Sequence, residues 1–481
     1  MNKNSSPAGA QGSDQLLGTA PIGRLILKLA LPAVAAQFIN VLYNIVDRIY
    51  IGNIPGIGAT ALTGVGVAFP ILMVISAFAA FAGMGGAPLA SIRLGAGDKK
   101  GAERILGNSF CFLLIISLVL TVGFQVFKRP LLYAFGASDN LIGYATDYIT
   151  IYLWGTVSVQ LALGLNTFIS AQGRSTTAML SVAIGAVLNL LLDPLFIFVF
   201  GMGVKGAAVA TIISQTVSAV WVVAFLFSQS SVIRLRRATL RIEPRVLGSI
   251  AALGVAPFIM QSTESLVNIV LNTGLQTYGG DLYVGSMTIM QSVMQMLVMP
   301  IQGITQGAQP IMSYNYGAKN YSRVRKTFSL LLKVMLLVTV SGFALAALLP
   351  GVLARMFTQD AELIEIVKKM MPIFFGGIWA FGAQMACQTT FMALGQAKIS
   401  LFLALLRKVV LLVPLALLLP VVMGGNVLGI YIAEPVADVI ASFTTLSLFL
   451  IKRKTLRRTR KKQITRRLFS NDGGCREARF L

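Results

Sequence analysis

Ionisable side chains are scarce in this sequence of 481 residues. Only 12% of the residues are charged, 17 are Asp or Glu, and histidine is absent. Soluble domains carry about 25% charged residues, so the composition excludes an ordinary soluble fold. The absence of histidine excludes a metal site or a proton relay that is built on imidazole groups.

Cysteine is equally rare, and its positions form no motif. Cys111, Cys387 and Cys475 are far apart in the chain. Neither a disulfide framework nor a zinc-binding spacing follows from them, and we expect Cys111 and Cys387 to be packing residues. The sequence also lacks a Walker motif for nucleotide phosphates. We therefore expect neither an enzyme nor a transporter driven by ATP.

Hydrophobic residues dominate what remains, at 56% of the chain. They recur in runs long enough to cross a bilayer as helices, which takes about 20 apolar residues each. The sequence therefore predicts an all-α polytopic membrane protein with 12 transmembrane spans. The predicted spans are 25–50, 57–82, 103–127, 141–164, 175–200, 205–228, 246–276, 283–308, 322–348, 363–387, 399–420 and 426–451.

The net charge of +23 would also fit a protein that binds nucleic acid. However, Lys and Arg cluster in alternate loops between the spans, which is the pattern of cytoplasmic loops in membrane proteins. We therefore expect no nucleic-acid partner, and we expect both termini to lie in the cytoplasm. The basic tail either contacts anionic lipid headgroups or is a solvated, disordered segment.

The two halves of the chain resemble each other. Gly95 and Ala96 match Gly317 and Ala318 at an offset of 222 residues. Six spans in each half give both copies the same topology, which predicts two parallel lobes around a central cleft. The predicted units are a disordered N-terminus (1–20), an N-lobe (21–230), a basic linker (231–245), a C-lobe (246–451) and a basic tail (452–481).

Acidic residues inside the spans are the strongest functional signal. Asp193 lies in the run AVLNLLLDPLFIFVF, where a charge costs several kcal/mol unless it is compensated. Such carboxylates are candidates for handling ions or substrates. The acids that fall within hydrophobic stretches are Asp47, Asp193, Glu264, Glu434 and Asp438.

A cation site is one interpretation of the residues around Asp193. Asn189 lies four residues earlier, on the same helix face, and Pro194 leaves the carbonyl of Leu190 without its helical donor. Together with Asp47 and Thr211 they offer oxygen atoms that suit a monovalent cation or a proton. The alternative is that each acid pairs separately, for example Asp47 with Arg48.

Several segments carry a family resemblance. The stretch from LPAVAAQFINVLYNIVDRIYIG to GVGVAFP, the loop LGAGDKKGAE, the run NLLLDPLFIF and the segment AEPVAD resemble the multidrug and toxic compound extrusion (MATE) transporters, in particular their MepA-like and DinF-like bacterial branch. The resemblance implies a monomeric antiporter of the bacterial cell membrane. It would export organic, often cationic, compounds by alternating access, coupled to Na⁺ or H⁺, without another cofactor.

The resemblance also implies roles for single residues. In relatives a first-span Asp is central to coupling, and some first spans bend at a proline in the position of Pro32; Pro32 and Pro194 are the predicted bending points. The residues that match the family's cation site are Asp47, Asn189, Asp193, Thr211 and, through its carbonyl, Ala207.

Candidates for a substrate cleft come from both lobes. They are Asn166, Gln261, Glu264, Met287, Met290, Met294 and Glu434. Thioether groups suit promiscuous apolar binding, although most such residues face lipid or the helix core. Glu434 and Asp438, four residues apart, either face the cleft or pair with Arg407 or Lys408.

Two other functions fit a chain of this kind. A flippase for lipid-linked sugars is the rival within transporters, but it usually carries basic cleft residues. A membrane receptor or channel is the rival outside them, and it needs neither two parallel lobes nor a buried Asn–Asp pair. We therefore favour the exporter.

Overall fold

The computed structural model describes residues 16–472, and these residues form helices without any β-strand. In this part of the chain eleven helices can cross a membrane, and a bent pair supplies a twelfth crossing, as predicted. Spans 1 to 12 are Ile22–Gly52, Gly58–Gly95, Lys99–Ala134, Ile142–Trp154 with Thr156–Ala171, Ser175–Val199, Val204–Phe227, Pro244–Tyr278, Asp281–Gly317, Tyr321–Leu348, Ala361–Ala393, Ala397–Val422 and Leu428–Asp472. Short helices at Arg237–Thr239 and Pro350–Arg355 lie between spans.

The bend of 60° in span 4 lies at Gly155. A Cβ atom at this position would lie 2.6 Å from Cγ1 of Ile212 in span 6. Only glycine permits so close an approach of the two helices. The hydroxyl of Thr156 donates to the carbonyl of Leu153 at 2.7 Å, which satisfies an acceptor at the break.

The two lobes meet through contacts that obey the sequence repeat. A Cβ on Gly95 would lie 1.9 Å from the carbonyl oxygen of Tyr314, and a Cβ on Gly317 would lie 1.9 Å from that of Ile92. Both partners in the second contact stand 222 residues from their counterparts in the first. The ends of spans 2 and 8 therefore cross with pseudo-two-fold symmetry, which confirms the parallel repeat.

Other close approaches between the lobes lie at the same end of the bundle. Span 8 approaches span 1 where Gly307 faces Ala30, and span 7 approaches span 2 where Gly254 faces the Phe81 carbonyl. The hydroxyl of Ser91 donates to the carbonyl of Pro310 at 3.4 Å. We call this end, where spans 1 and 7 begin and spans 2 and 8 finish, the closed end.

The segment before span 1 seals the closed end. The sequence predicts disorder over residues 1–20; residues 1–15 lie outside the described part, but residues 16–19 are helical and Leu17 is fully buried. Asn315 donates to the carbonyl of Leu17 at 2.8 Å, and Arg323 donates to that of Ala20 at 2.7 Å. These bonds to span 8 and to the start of span 9 order a segment whose composition is polar.

The proline positions differ from the expected bends. Span 1 remains one helix from Ile22 to Gly52 through Pro32. At Pro194 the α-helix of span 5 ends and a π-helical turn, Leu195–Val199, continues it. Span 11 contains a longer π-helical stretch, Leu406–Leu412, just before the corresponding proline. A π-turn accommodates the missing amide by widening the helix, so both lobes carry an irregular helix where a polar cluster lies.

Candidate functional site

Two buried acids from different spans meet in the N-lobe. Asp47 of span 1 and Asp193 of span 5 have their carboxyl groups in hydrogen-bonding contact. Their residues are 9% and 0% exposed. Arg48 instead lies over the ring of Phe69, 5.5 Å from its centre. The structure therefore shows a shared acid pair, and in the described part of the chain Asp47 has no cationic partner within ion-pair distance.

Polar groups of spans 5 and 6 complete the cluster. The amide nitrogen of Asn189 donates to Oδ1 of Asp193 at 3.1 Å and to Oγ1 of Thr211 at 3.4 Å. Both residues are almost fully buried. The spacing of four residues on span 5 brings Asn189 and Asp193 together as expected. Ala207, one turn before Thr211, is fully buried as well.

Three tyrosines surround the acid pair, and the sequence interpretation missed them. Tyr43 lies one turn before Asp47, and its hydroxyl contacts Thr211. Tyr148 and Tyr152 of span 4 stand near Asp47, with ring centres 6.0 Å apart. The spacing of four residues could have indicated Tyr43. The position of span 4 beside span 1 is a tertiary feature, which no local pattern encodes.

The electrostatics of the cluster favour one added positive charge. Oδ1 of Asp47 and Oδ2 of Asp193 are buried and accept no hydrogen bond from the described residues. Two negative charges in contact repel strongly where the dielectric constant is low. A proton or a monovalent cation between the carboxyl groups would relieve this repulsion, and the carboxylate, amide and hydroxyl oxygens are hard ligands. In the described part of the chain no group of three or more acidic, cysteine or histidine side chains converges as a metal site.

A cavity of about 190 Å³ adjoins the cluster on the side of the closed end. Tyr43 belongs to its wall, so this residue connects the cavity with the acid pair. Asn166 also lines the cavity and accepts a hydrogen bond from Ser181 at 3.1 Å. The wall has no charged side chain but six carboxamides, which are those of Gln37, Asn40, Asn166, Gln215, Gln306 and Gln309.

The other cleft candidates lie away from this cavity. Met287 and Met290 are fully buried in the C-lobe core, and Met294 packs against the same core. Gln261 is half-buried on span 7, outside the cavity wall. We infer that in this conformation these methionines contribute packing and not a binding surface.

The acids of the C-lobe are paired with bases of span 11. Glu264 forms an ion pair with Lys408. Glu434 and Asp438 both bind Arg407, at 2.8 and 2.5 Å. Of the two alternatives for Glu434 and Asp438, pairing is therefore the one that the structure shows.

Comparison with known proteins agrees with this architecture. The model of the MatE family matches residues 32–195 and 257–418, one segment in each lobe. This chain belongs to the MatE family. The two matched segments have almost the same offset as the glycine pair at the closed end, as expected for a family unit that occurs once per lobe.

Curated relatives of this MatE-family chain are similar over nearly their whole length. The multidrug export protein MepA of Staphylococcus haemolyticus is 22% identical over 429 residues, covering 89% of this chain and 94% of that protein. MepA of Staphylococcus saprophyticus is 23% identical over 422 residues, covering 86% and 92%.

Solved structures share the fold. A MATE protein in its bent conformation has a TM-score of 0.86 at 25% identity, with 93% of this chain and 99% of that chain covered. An outward-facing multidrug resistance MATE transporter has the same TM-score and the same coverage at 23% identity. The fold of this chain is therefore the MATE fold.

Proposed function

We propose that this protein exports organic, often cationic, compounds in exchange for one Na⁺ or H⁺ that binds at the acid pair of Asp47 and Asp193. The observation that carries the proposal is the buried carboxyl pair, which lacks a cationic partner in the described residues. The cavity next to it offers a place for substrate. The names of the MepA relatives support drug export as the physiological class.

The direction of opening supports this mechanism. The lobes approach each other at the closed end, and that end carries the basic loops, for example Lys99 and Lys100 after span 2. If these loops are cytoplasmic, the structure represents an outward-facing state. A cation that enters from outside then reaches the acid pair in the state in which substrate leaves.

Coupling requires that the cation and the substrate prefer different states. A ligand shifts a conformational equilibrium only by its difference in affinity for the two states. The cation removes the repulsion within the acid pair, and Tyr43 transmits the change to the cavity wall. Exchange of one monovalent cation for one monovalent organic cation is electroneutral. A tenfold cation gradient, about 1.4 kcal/mol, then sustains at most a tenfold gradient of substrate.

The cavity also bears on the flippase alternative. A lipid-linked sugar carries phosphate groups, which proteins usually bind with arginine or lysine. No basic side chain belongs to the wall of this cavity. The geometry therefore favours small organic substrates.

The test is substrate export from proteoliposomes under an imposed Na⁺ or pH gradient. Asp193→Asn should abolish export because the pair loses one of its two charges. The matched control is Asp98→Asn: Asp98 caps span 3 by accepting from Gly101 at 2.8 Å, and asparagine caps equally well. Gradient-driven export by folded Asp193→Asn at the native rate would refute the proposal.

A further inference from the structure

The C-lobe contains a buried cation that belongs to the protein itself. In span 11, Nε of Arg407 donates to Oδ1 of Asp438 at 2.5 Å, and Nη2 donates to Oε1 of Glu434 at 2.8 Å. The side chains of Arg407, Glu434 and Asp438 are 14%, 11% and 2% exposed. The guanidinium also lies 4.6 Å from the centre of the Phe381 ring of span 10. Arginine keeps its charge in such surroundings.

This cluster occupies the place that corresponds to the N-lobe acid pair. Gly206 of span 6 abuts the backbone of Phe196 and Ile197, and Gly429 of span 12 abuts the backbone of Leu419 and Pro420. The two contacts are related by an offset of 223 residues. The same offset places Glu434 at the position of Thr211.

The two clusters differ in what balances their acids. In the N-lobe, the described residues provide no cation that pairs with Asp47 or Asp193. In the C-lobe, Arg407 bridges two carboxylates, and Lys408 pairs with the third, Glu264 of span 7. The guanidinium is attached to the backbone of span 11, so it cannot leave during a transport cycle.

We propose that Arg407 is a tethered cation that fills the C-lobe counterpart of the cation site. The native C-lobe therefore takes up no exchangeable cation, and removal of Arg407 uncovers a site for a monovalent cation or a proton between Glu434 and Asp438. The proposal extends the proposed function, because it leaves one exchangeable cation per transport cycle.

The experiment uses the full chain purified in detergent, with Asp47→Asn and Asp193→Asn as a common background that silences the N-lobe. Three proteins are compared: the background, the background with Arg407→Gln, and the background with Arg407→Gln, Glu434→Gln and Asp438→Asn. Glu264 and Lys408, the other charged groups that face the cluster, are present in all three. The midpoint of thermal unfolding is measured in NaCl against choline chloride at equal ionic strength, and across pH.

We expect the Arg407→Gln protein to unfold earlier in choline at high pH, and to recover roughly 3 °C or more in Na⁺ or in acid, because a ligand that binds only the folded state raises its midpoint. The background and the fully neutralised protein should show no such recovery. A folded Arg407→Gln protein with the same cation response as the neutralised protein would overturn the proposal. So would failure of Arg407→Gln to fold at any Na⁺ concentration or pH when the neutralised protein folds.

These outcomes do not depend on coupling through the N-lobe, since every protein in the comparison lacks its acid pair. Native export by Asp193→Asn would refute the proposed function and leave the C-lobe result unchanged. Conversely, absence of a cation response in Arg407→Gln would refute the tethered cation alone.

Discussion

Gly317→Ala should open the closed end of the molecule. The new Cβ would lie 1.9 Å from the carbonyl oxygen of Ile92 and 3.1 Å from the amide nitrogen of Ala96. Both neighbours are backbone atoms, so they cannot rotate away, and the ends of spans 2 and 8 must separate by more than 1 Å to reach ordinary contact distances of roughly 3.4 Å or more.

The magnitude follows from overpacking. Inserting a methyl group into a tight interface costs about 1–3 kcal/mol, whereas alanine is the better helix former by up to about 1 kcal/mol. The second effect acts equally in open and closed states because Gly317 ends a helix in both. The closed state should therefore lose about 1–3 kcal/mol relative to the open state, which shifts their ratio by roughly 5- to 150-fold.

The assay is a distance distribution between spin labels at Lys100→Cys and Arg325→Cys, in a protein whose own cysteines are replaced. Both sites are exposed on the closed end. The matched control is Gly248→Ala on span 7, where a Cβ meets nothing within 4 Å. Longer distances are expected for Gly317→Ala alone. Identical distributions for the two variants would refute the contact on which the closed end depends.

Two further substitutions test separate parts of the structure. Arg323→Gln removes the donors to the Leu17 and Ala20 carbonyls, and should speed hydrogen exchange of residues 16–20, whereas Arg325→Gln at an exposed position should not; equal exchange in both would contradict the latch. Met290→Ala should lower the free energy of unfolding by about 2–5 kcal/mol, since Met290 is fully buried. A stable protein with altered substrate preference would instead place that side chain in the cleft.

Hydropathy alone predicts the number of spans, because apolar length is a property of the sequence itself. It underestimates their extent: the sequence ends span 2 at 82 and span 8 at 308, whereas the helices continue to Gly95 and Gly317. The additional turns are less apolar and lie between the lobes, where protein contacts stabilise them instead of lipid. The glycines that identify the repeat stand in these turns.

The site is only partly encoded in local patterns. The spacing of Asn189 and Asp193 places both on one helix face, but the contact between Asp193 and Asp47 depends on how spans 1 and 5 pack. Spacing likewise left two partners open for Glu434, and the rotation of span 11 selects Arg407. The π-helical stretch Leu406–Leu412 changes that rotation, and a pattern of apolar residues carries no information on it.

Reciprocal flux through the acid pair is the most direct test of the account. Proteoliposomes receive a gradient of a monovalent organic cation, with no gradient of Na⁺ or pH, and the movement of Na⁺ and H⁺ is recorded. The account predicts counter-movement of one of these cations with the native protein, and none with Asp193→Asn, whose buried pair has lost a charge. Equal counter-movement in both proteins would contradict coupling at Asp47 and Asp193.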